Sequence, residues 1–194
     1  MDRRATTEFL SELLLKTRLR KRSVYFAREV TLDYGTTKPR RVDFLQFEPP
    51  RVVSAGDIEK GIFIAYEIKS CIEDVFSGHG LNLIGEKNYL VMTMQAYKDF
   101  LPRRTSGEFC KHLSNINPGL PQYYGVMVAI PEGRDPCDEF ENPTPLETPN
   151  ISWTLYIALP CRNGIRTKSI IELLFCMVRS GTHEGTAAET QEET

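Results

Sequence analysis

The stretch that most constrains the fold is "IFIAYEIK", residues 62–69, an almost uninterrupted apolar run. Its length and its β-branched and aromatic residues predict a strand at the centre of a sheet, buried on both faces. The run nevertheless ends in a carboxylate and an ammonium group, Glu67 and Lys69, with Ile68 between them. An unpaired charge is costly in an apolar strand, so these two side chains require a specific explanation.

Apolar periodicity and turn residues predict the other elements around this strand. They are a helix over 6–22, a hairpin formed by Glu29–Leu32 and "RRVDFLQF", a loop over 48–61, a strand "KNYLVMT", a helix "MQAYKDFLP" that ends before Pro102, an irregular stretch over 103–120, a strand "QYYGVMVAIP", an exposed loop over 131–150, a strand "SWTLYIALP" and a final helix "TKSIIELLFCMVRSG". Strands that alternate with helices predict an α/β fold, a mixed β-sheet flanked by helices.

The length and the two ends of the chain predict its organisation. A chain of 194 residues suits one domain, which we expect over 1–181. From residue 182 the chain is rich in Thr, Glu and Ala, so we expect a disordered acidic tail over 182–194. The N-terminus "MDRRATTEFL" lacks the apolar segment of a signal peptide, and no apolar run is long enough for a transmembrane helix. We therefore expect a cytoplasmic protein.

Charge and short motifs exclude several classes. The net charge of −2 excludes a polycation, yet residues 1–41 hold eleven Lys and Arg against five Asp and Glu. Such a basic region suits either a phosphate-binding surface or a solvated helix face. The five cysteines show no CxxC spacing, and "GHGLNLIGEK" fits neither a P-loop nor a dinucleotide-binding fingerprint.

A third charged residue, Asp43, suggests a chemical role for Glu67 and Lys69 at the end of the central strand. Asp43 lies in the predicted second strand, and Glu67 and Lys69, two residues apart, project from one face of the third. If these strands are adjacent, two carboxylates and the Ile68 carbonyl converge, and such hard oxygen ligands suit Mg²⁺ or Mn²⁺. Lys69 would orient a water or stabilise negative charge in the transition state, so the reaction class is metal-assisted hydrolysis.

The stretches "RRVDFLQF" and "AYEIKSCIEDV" carry a family resemblance. A helix, a hairpin bearing Asp, and a strand ending in Glu-X-Lys before another helix resemble the PD-(D/E)XK nuclease superfamily. Its members include restriction endonucleases, Holliday-junction resolvases and DNA-repair nucleases. Within it, the sequence is most similar to the MmcB-like DNA-repair and mobile-element proteins, in which an "R-x-D" strand precedes "(V/Y)EIKS". The resemblance covers roughly residues 6–100.

This resemblance implies a restriction-endonuclease-like fold and a magnesium-dependent DNA endonuclease. Asp43 and Glu67 would be metal ligands, and Lys69 would be the catalytic lysine. Many members carry a further acid on the first helix, so Glu8, Glu12 and, at the start of a strand, Glu29 are additional candidates. DNA is the implied partner, no membrane is involved, and a homodimer stays open. The alternative is an inactive nuclease-like domain that binds nucleic acid or a protein partner.

Each candidate residue also has a structural interpretation. Glu67 and Lys69 could form a cross-strand ion pair at an exposed strand end, and Asp43 could cap backbone amides of the hairpin. Arg40 and Arg41 suit phosphate binding or a solvated turn. Two further residues are assigned to nucleic-acid binding but have alternatives, a helix cap for Ser70 and a loop position for His79.

Overall fold

A computed structural model describes residues 1–21, 24–50, 56–119 and 123–189, with side chains as far as Gly181. Six strands form one mixed sheet in the order of the chain. The strands are β1 (Tyr25–Leu32), β2 (Arg40–Glu48), β3 (Ile62–Lys69), β4 (Lys87–Thr93), β5 (Gly125–Pro131) and β6 (Trp153–Leu159). The pairs β3–β4 and β4–β5 are parallel, and the other three pairs are antiparallel. The predicted α/β class and mixed sheet are therefore confirmed.

Helices cover both faces of the sheet. They are α1 (Arg3–Leu14), α2 (Ile72–Val75), α3 (Met94–Thr105), α4 (Glu108–Ile116), α5 (Pro136–Glu141) and α6 (Ile170–Glu189). A π-helical turn, Leu15–Leu19, extends α1, and a 3₁₀ turn, Ile58–Lys60, precedes β3.

The apolar run of residues 62–69 forms β3, which lies between β2 and β4 as predicted. Its side chains alternate between two cores. Ile64, Tyr66 and Ile68 pack on the α1 face, and Phe63 and Ala65 pack on the α6 face. Because odd-numbered residues of β3 share a face, Glu67 and Lys69 project toward the α6 side.

The predicted start of α1 and the predicted end of α3 are wrong. Asp2 is the N-cap of α1, not a threonine, because its Oδ1 accepts the Ala5 N–H at 2.7 Å. The helix α3 continues through Pro102 to Thr105 and does not end before the proline. Its residue Phe100 is fully buried and packs edge-on against Phe109, with ring centroids 4.8 Å apart.

Two predicted irregular stretches contain helices. Phe109 and Leu113, one helical turn apart, bury one face of α4 within 103–120. In the predicted exposed loop, Asp135 caps α5, and Pro136 occupies its first turn. Glu139 of α5 is fully buried, so this segment is not an exposed loop throughout.

The end of the chain and some short segments are only partly described. The backbone of α6 is helical past Gly181 as far as Glu189. Residues 190–194 of the predicted tail, 51–55 of the predicted loop and Arg22 of the predicted first helix lie outside the described residues. The single domain over 1–181 and the disorder of 182–194 stay predictions. Of the helices described, none has the length and apolar character needed to cross a membrane.

Candidate active site

A cavity of about 620 Å³ opens at the C-terminal end of β3. The three predicted catalytic residues, Asp43, Glu67 and Lys69, line this cavity, and so does Ile68. Its walls come from α1, the start of β2, the end of β3 and the loop after α2. They include Arg3, Arg41, Asp43, Glu67, Lys69 and Asn82. The tertiary structure thus brings Asp43, Glu67 and Lys69 to one cavity.

Asp43 lies where the strand pairing of β2 with β3 stops. The ladder ends at the pair Phe44–Tyr66, and beyond it the Asp43 Oδ2 accepts the Ile68 N–H at 2.8 Å. Val42 and Leu45 pack in the same core although they are three residues apart, so the two-residue alternation of β2 breaks at this point. This break turns the Asp43 carboxylate toward β3, where it replaces a backbone partner of the ladder.

Glu67 is a buried carboxylate that is only partly satisfied. Its side chain is 4% exposed, and its Oε1 lies 3.5 Å from the Asn82 Nδ2, a long contact. Its Oε2 is buried and has no hydrogen-bond partner. A buried acceptor without a partner costs free energy, so this oxygen favours a ligand that is not part of the protein.

Gly80 packs directly beside this oxygen. A Cβ atom at Gly80 would lie 2.5 Å from the Glu67 Oε2 and 3.2 Å from the Lys69 Nζ. Gly80 also has a φ of +67°, a conformation that side chains disfavour. A side chain at this position would press against both functional groups, so their arrangement requires a glycine here.

Lys69 is as buried as Glu67, with 3% of its side chain exposed. Its Nζ donates to the His79 backbone oxygen at 2.7 Å. Neither Lys69 nor Glu67 takes part in an ion pair of the described residues within 4.0 Å. The interpretation of these two residues as an ion pair at an exposed strand end is wrong, because both are buried.

Burial and mutual repulsion disfavour the ionised carboxylates. Burial is the main cause that raises the pKa of Asp43. Burial also raises the pKa of Glu67 well above its ordinary value, and the nearby Asp43 charge adds to this effect. The Lys69 charge lowers both pKa values but does not offset the burial. A cation bound between the two carboxylates would stabilise their ionised forms and so remove the cause of the raised pKa values.

Of the residues assigned to nucleic-acid binding, three reach the cavity. Arg40, Arg41 and His79 line it. The Arg40 Nε pairs with an Asp33 oxygen at 2.7 Å. Ser70 does not line this cavity, because its N–H and hydroxyl both donate to Asp74 at 3.2 Å.

The additional acids suggested by the resemblance do not line the cavity. Glu8 and Glu12 are 66% and 57% exposed and pair with arginines of α1 and of the segment after it. Glu29 lies between the paired residues Arg28 and Val30 of β1, but it has a φ of +47° and its carboxylate pairs with Arg41 at 3.5 Å. The structure therefore does not bring these three carboxylates to Glu67.

The sequence interpretation missed Asp74. This acid of α2 lines the cavity, receives a 2.6 Å hydrogen bond from Arg3 and raises the pKa of Asp43 through its charge. Its position shortly after Lys69, in "KSCIED", was the available signal, because the short helix α2 folds it back over the end of β3.

The donor set fits a hard divalent cation that keeps part of its water shell. In the described part of the chain, no group of three or more His, Cys, Asp and Glu side chains is arranged to hold a metal. Two carboxylates, with Ile68 in the lining between them, are nevertheless what Mg²⁺ commonly uses besides water and substrate phosphates. The partnerless Glu67 oxygen and the glycine beside it support this fit.

Comparison of the chain with protein-family models, curated proteins and solved structures found no match. The assignment of a function therefore depends on the geometry of this cavity.

Proposed function

We propose that this protein is a divalent-metal-dependent nuclease with a restriction-endonuclease-like fold that hydrolyses phosphodiester bonds in DNA. The observation that carries the proposal is the Glu67 Oε2, which is buried without a partner next to Asp43 and Lys69. The order of helix, hairpin bearing Asp43, strand ending in Glu67-Ile68-Lys69 and following helix supports the same class.

Asp43 and Glu67 would hold Mg²⁺ or Mn²⁺ through their free carboxylate oxygens. A bound ion of this type polarises a phosphodiester and lowers the pKa of a bound water. The Asp43 Oδ2 would keep its bond to the Ile68 N–H, so that the rigid central strand fixes the first carboxylate relative to the second. This rigidity supplies the preorganisation that catalysis requires.

Lys69 would act on the substrate, and its charge also favours the ionised form of both carboxylates. Among the described residues its Nζ donates to one backbone oxygen, that of His79, and Lys69 lines the cavity, so the other donors of the ammonium group are available to a ligand there. These donors would orient the attacking water or stabilise charge on a phosphate oxygen in the transition state. Arg41, which is 60% exposed at the cavity wall, would bind the adjacent backbone phosphate.

The test is cleavage of DNA in Mg²⁺ or Mn²⁺ by the wild-type protein and by Asp43→Asn, Glu67→Gln and Lys69→Met. We expect each substitution to reduce the rate by at least about a hundredfold, because each removes a metal ligand or a transition-state donor. The matched controls Glu8→Gln and Glu12→Gln remove carboxylates outside the cavity and should cleave at the wild-type rate. Unchanged cleavage by all three cavity variants would refute the site.

One observation favours the second candidate, an inactive nuclease-like domain that binds nucleic acid or a protein partner. The described residues provide no third carboxylate for a metal, because Asp74 is held by Arg3 and Ser70. Calorimetry with Mn²⁺ separates the two candidates. Salt-dependent DNA binding without heat from Mn²⁺ would support the inactive domain, whereas Mn²⁺ binding that is lost in Glu67→Gln supports the nuclease.

A further inference from the structure

A second polar cavity lies nearer the start of β3, whereas the candidate active site lies at the end of that strand. It has a volume of about 350 Å³ and is built on the starts of β3 and β4 and the end of β2. The side chain of Tyr66, on its floor, points to the α1 face, whereas the next residue, Glu67, points to the α6 face. The two cavities have no described lining residue in common.

The rim of this cavity is cationic. Arg18, Lys21 and Lys87 line it, and among the described residues of its lining Glu48 is the one acid. None of the three cations takes part in an ion pair among the described residues. Glu48 accepts a hydrogen bond from Gln46 at 3.1 Å. The four charged groups leave a net charge of +2 at one opening.

The position of Arg18 has an unusual backbone cause. It lies in the π-helical turn Leu15–Leu19. Such turns are rare in proteins, and those that occur are often found at functional sites. The turn carries its guanidinium over the sheet, where one nitrogen lies 3.4 Å from the Leu155 oxygen. Burial raises the pKa of both Tyr66 and Tyr89, and the Arg18 charge acts against this on both, so Arg18 lies near both phenols.

The floor is aromatic and apolar. Tyr66 and Tyr89 stack with ring centroids 6.0 Å apart, and the Tyr66 hydroxyl donates to the Gln46 Oε1 at 2.7 Å. Ile64 and Met127 complete this wall. The Tyr66 hydroxyl is satisfied by Gln46, so the charged groups that face a ligand belong to the rim.

From this combination we propose that the cavity binds a phosphate monoester with a planar or apolar body, of about the size of a mononucleotide. A phosphate monoester carries about −1.5 to −2 charges at neutral pH, which matches the net charge of the rim. Arginine binds phosphate oxygens in pairs, and lysines add point charges. The volume lies at the lower end of the range for small-molecule sites. This site does not depend on the proposed nuclease activity.

The test is calorimetric titration of the full chain with dAMP, inorganic phosphate and deoxyadenosine. We expect dAMP to bind, deoxyadenosine to show no binding, and the comparison with inorganic phosphate to measure the contribution of the nucleoside. Lys21→Gln and Lys87→Gln should each weaken dAMP binding about tenfold, because each removes one charge-assisted contact. The matched control Lys111→Gln removes an exposed lysine of α4 and should bind as the wild type does.

Three results would overturn the proposal. The first is no heat from either phosphate probe at millimolar concentration. The second is equal dAMP affinity in Lys21→Gln, Lys87→Gln and the control, which would show that the rim cations do not contact the ligand. The third is loss of dAMP binding in Asp43→Asn, which would place the ligand in the cavity at the end of β3. Retained binding in that variant supports a separate site.

Discussion

Substitution of Gly80 by alanine tests whether the space beside Glu67 is the functional feature of the cavity. An alanine Cβ would lie 2.5 Å from the Glu67 Oε2 and would force this buried carboxylate to move. Gly78 offers a matched control, because its φ of +78° is as unfavourable for alanine but no atom lies within 4 Å of its Cβ position. Comparison of the two variants separates backbone strain from steric exclusion.

The expected magnitudes follow from these contacts. Gly78→Ala should lower the free energy of unfolding by about 1–2 kcal/mol, the cost of a left-handed alanine. Gly80→Ala should cost the same amount plus about 1–3 kcal/mol for overpacking against Glu67. The wild type and Gly78→Ala should gain about 2.7 kcal/mol of stability at a Mn²⁺ concentration of a hundred times Kd, whereas Gly80→Ala should gain little.

The assay is urea unfolding with and without Mn²⁺, followed by DNA cleavage under conditions in which both variants are folded. We expect Gly78→Ala to cleave and Gly80→Ala to lose cleavage. Equal Mn²⁺ stabilisation and equal cleavage in the two variants would refute the argument, because the space beside the Glu67 Oε2 would then hold no ion.

Two further predictions concern buried carboxylates. The fold raises the pKa of Glu67, so the contribution of this side chain to stability is present below the ordinary pKa of 4.5 and is lost as the pH rises through the folded pKa. Without metal, Glu67→Gln should therefore be more stable than the wild type at pH 7 and similar at pH 4, as measured by urea unfolding. A stability difference that stays constant across this pH range would contradict the raised pKa. Glu139 is fully buried, pairs with Arg134 at 2.8 Å and accepts 2.7 Å hydrogen bonds from the Thr144 N–H and hydroxyl. Glu139→Ala should lower the free energy of unfolding by about 3 kcal/mol, whereas substitution of the exposed neighbour, Asp138→Ala, should lower it by less than about 0.5 kcal/mol. Equal losses in the two variants would show that this network does not stabilise the segment.

Local pattern was enough to predict the central strand and the shared face of its charged residues. The alternation of a strand is a property of its backbone, so Glu67 and Lys69 had to lie together once residues 62–69 formed β3. Local pattern was misleading at Pro102, because a proline usually ends a helix and α3 continues through it to Thr105. The start of α5 carried a usable signal, an aspartate followed by a proline, within a stretch interpreted as loop.

The sequence by itself determined the α/β class, the central position of β3 and the pair of charges at its end, since these follow from apolar periodicity along the chain. Only the tertiary structure decided that Asp43 crosses to the Ile68 N–H, that the Glu67 Oε2 is buried beside Gly80 without a hydrogen-bond partner, and that Asp74, not Glu8 or Glu12, reaches the cavity. The physical reason is that these features depend on where strand pairing stops and how loops fold back. Both depend on contacts between residues far apart in the chain, which no local pattern records.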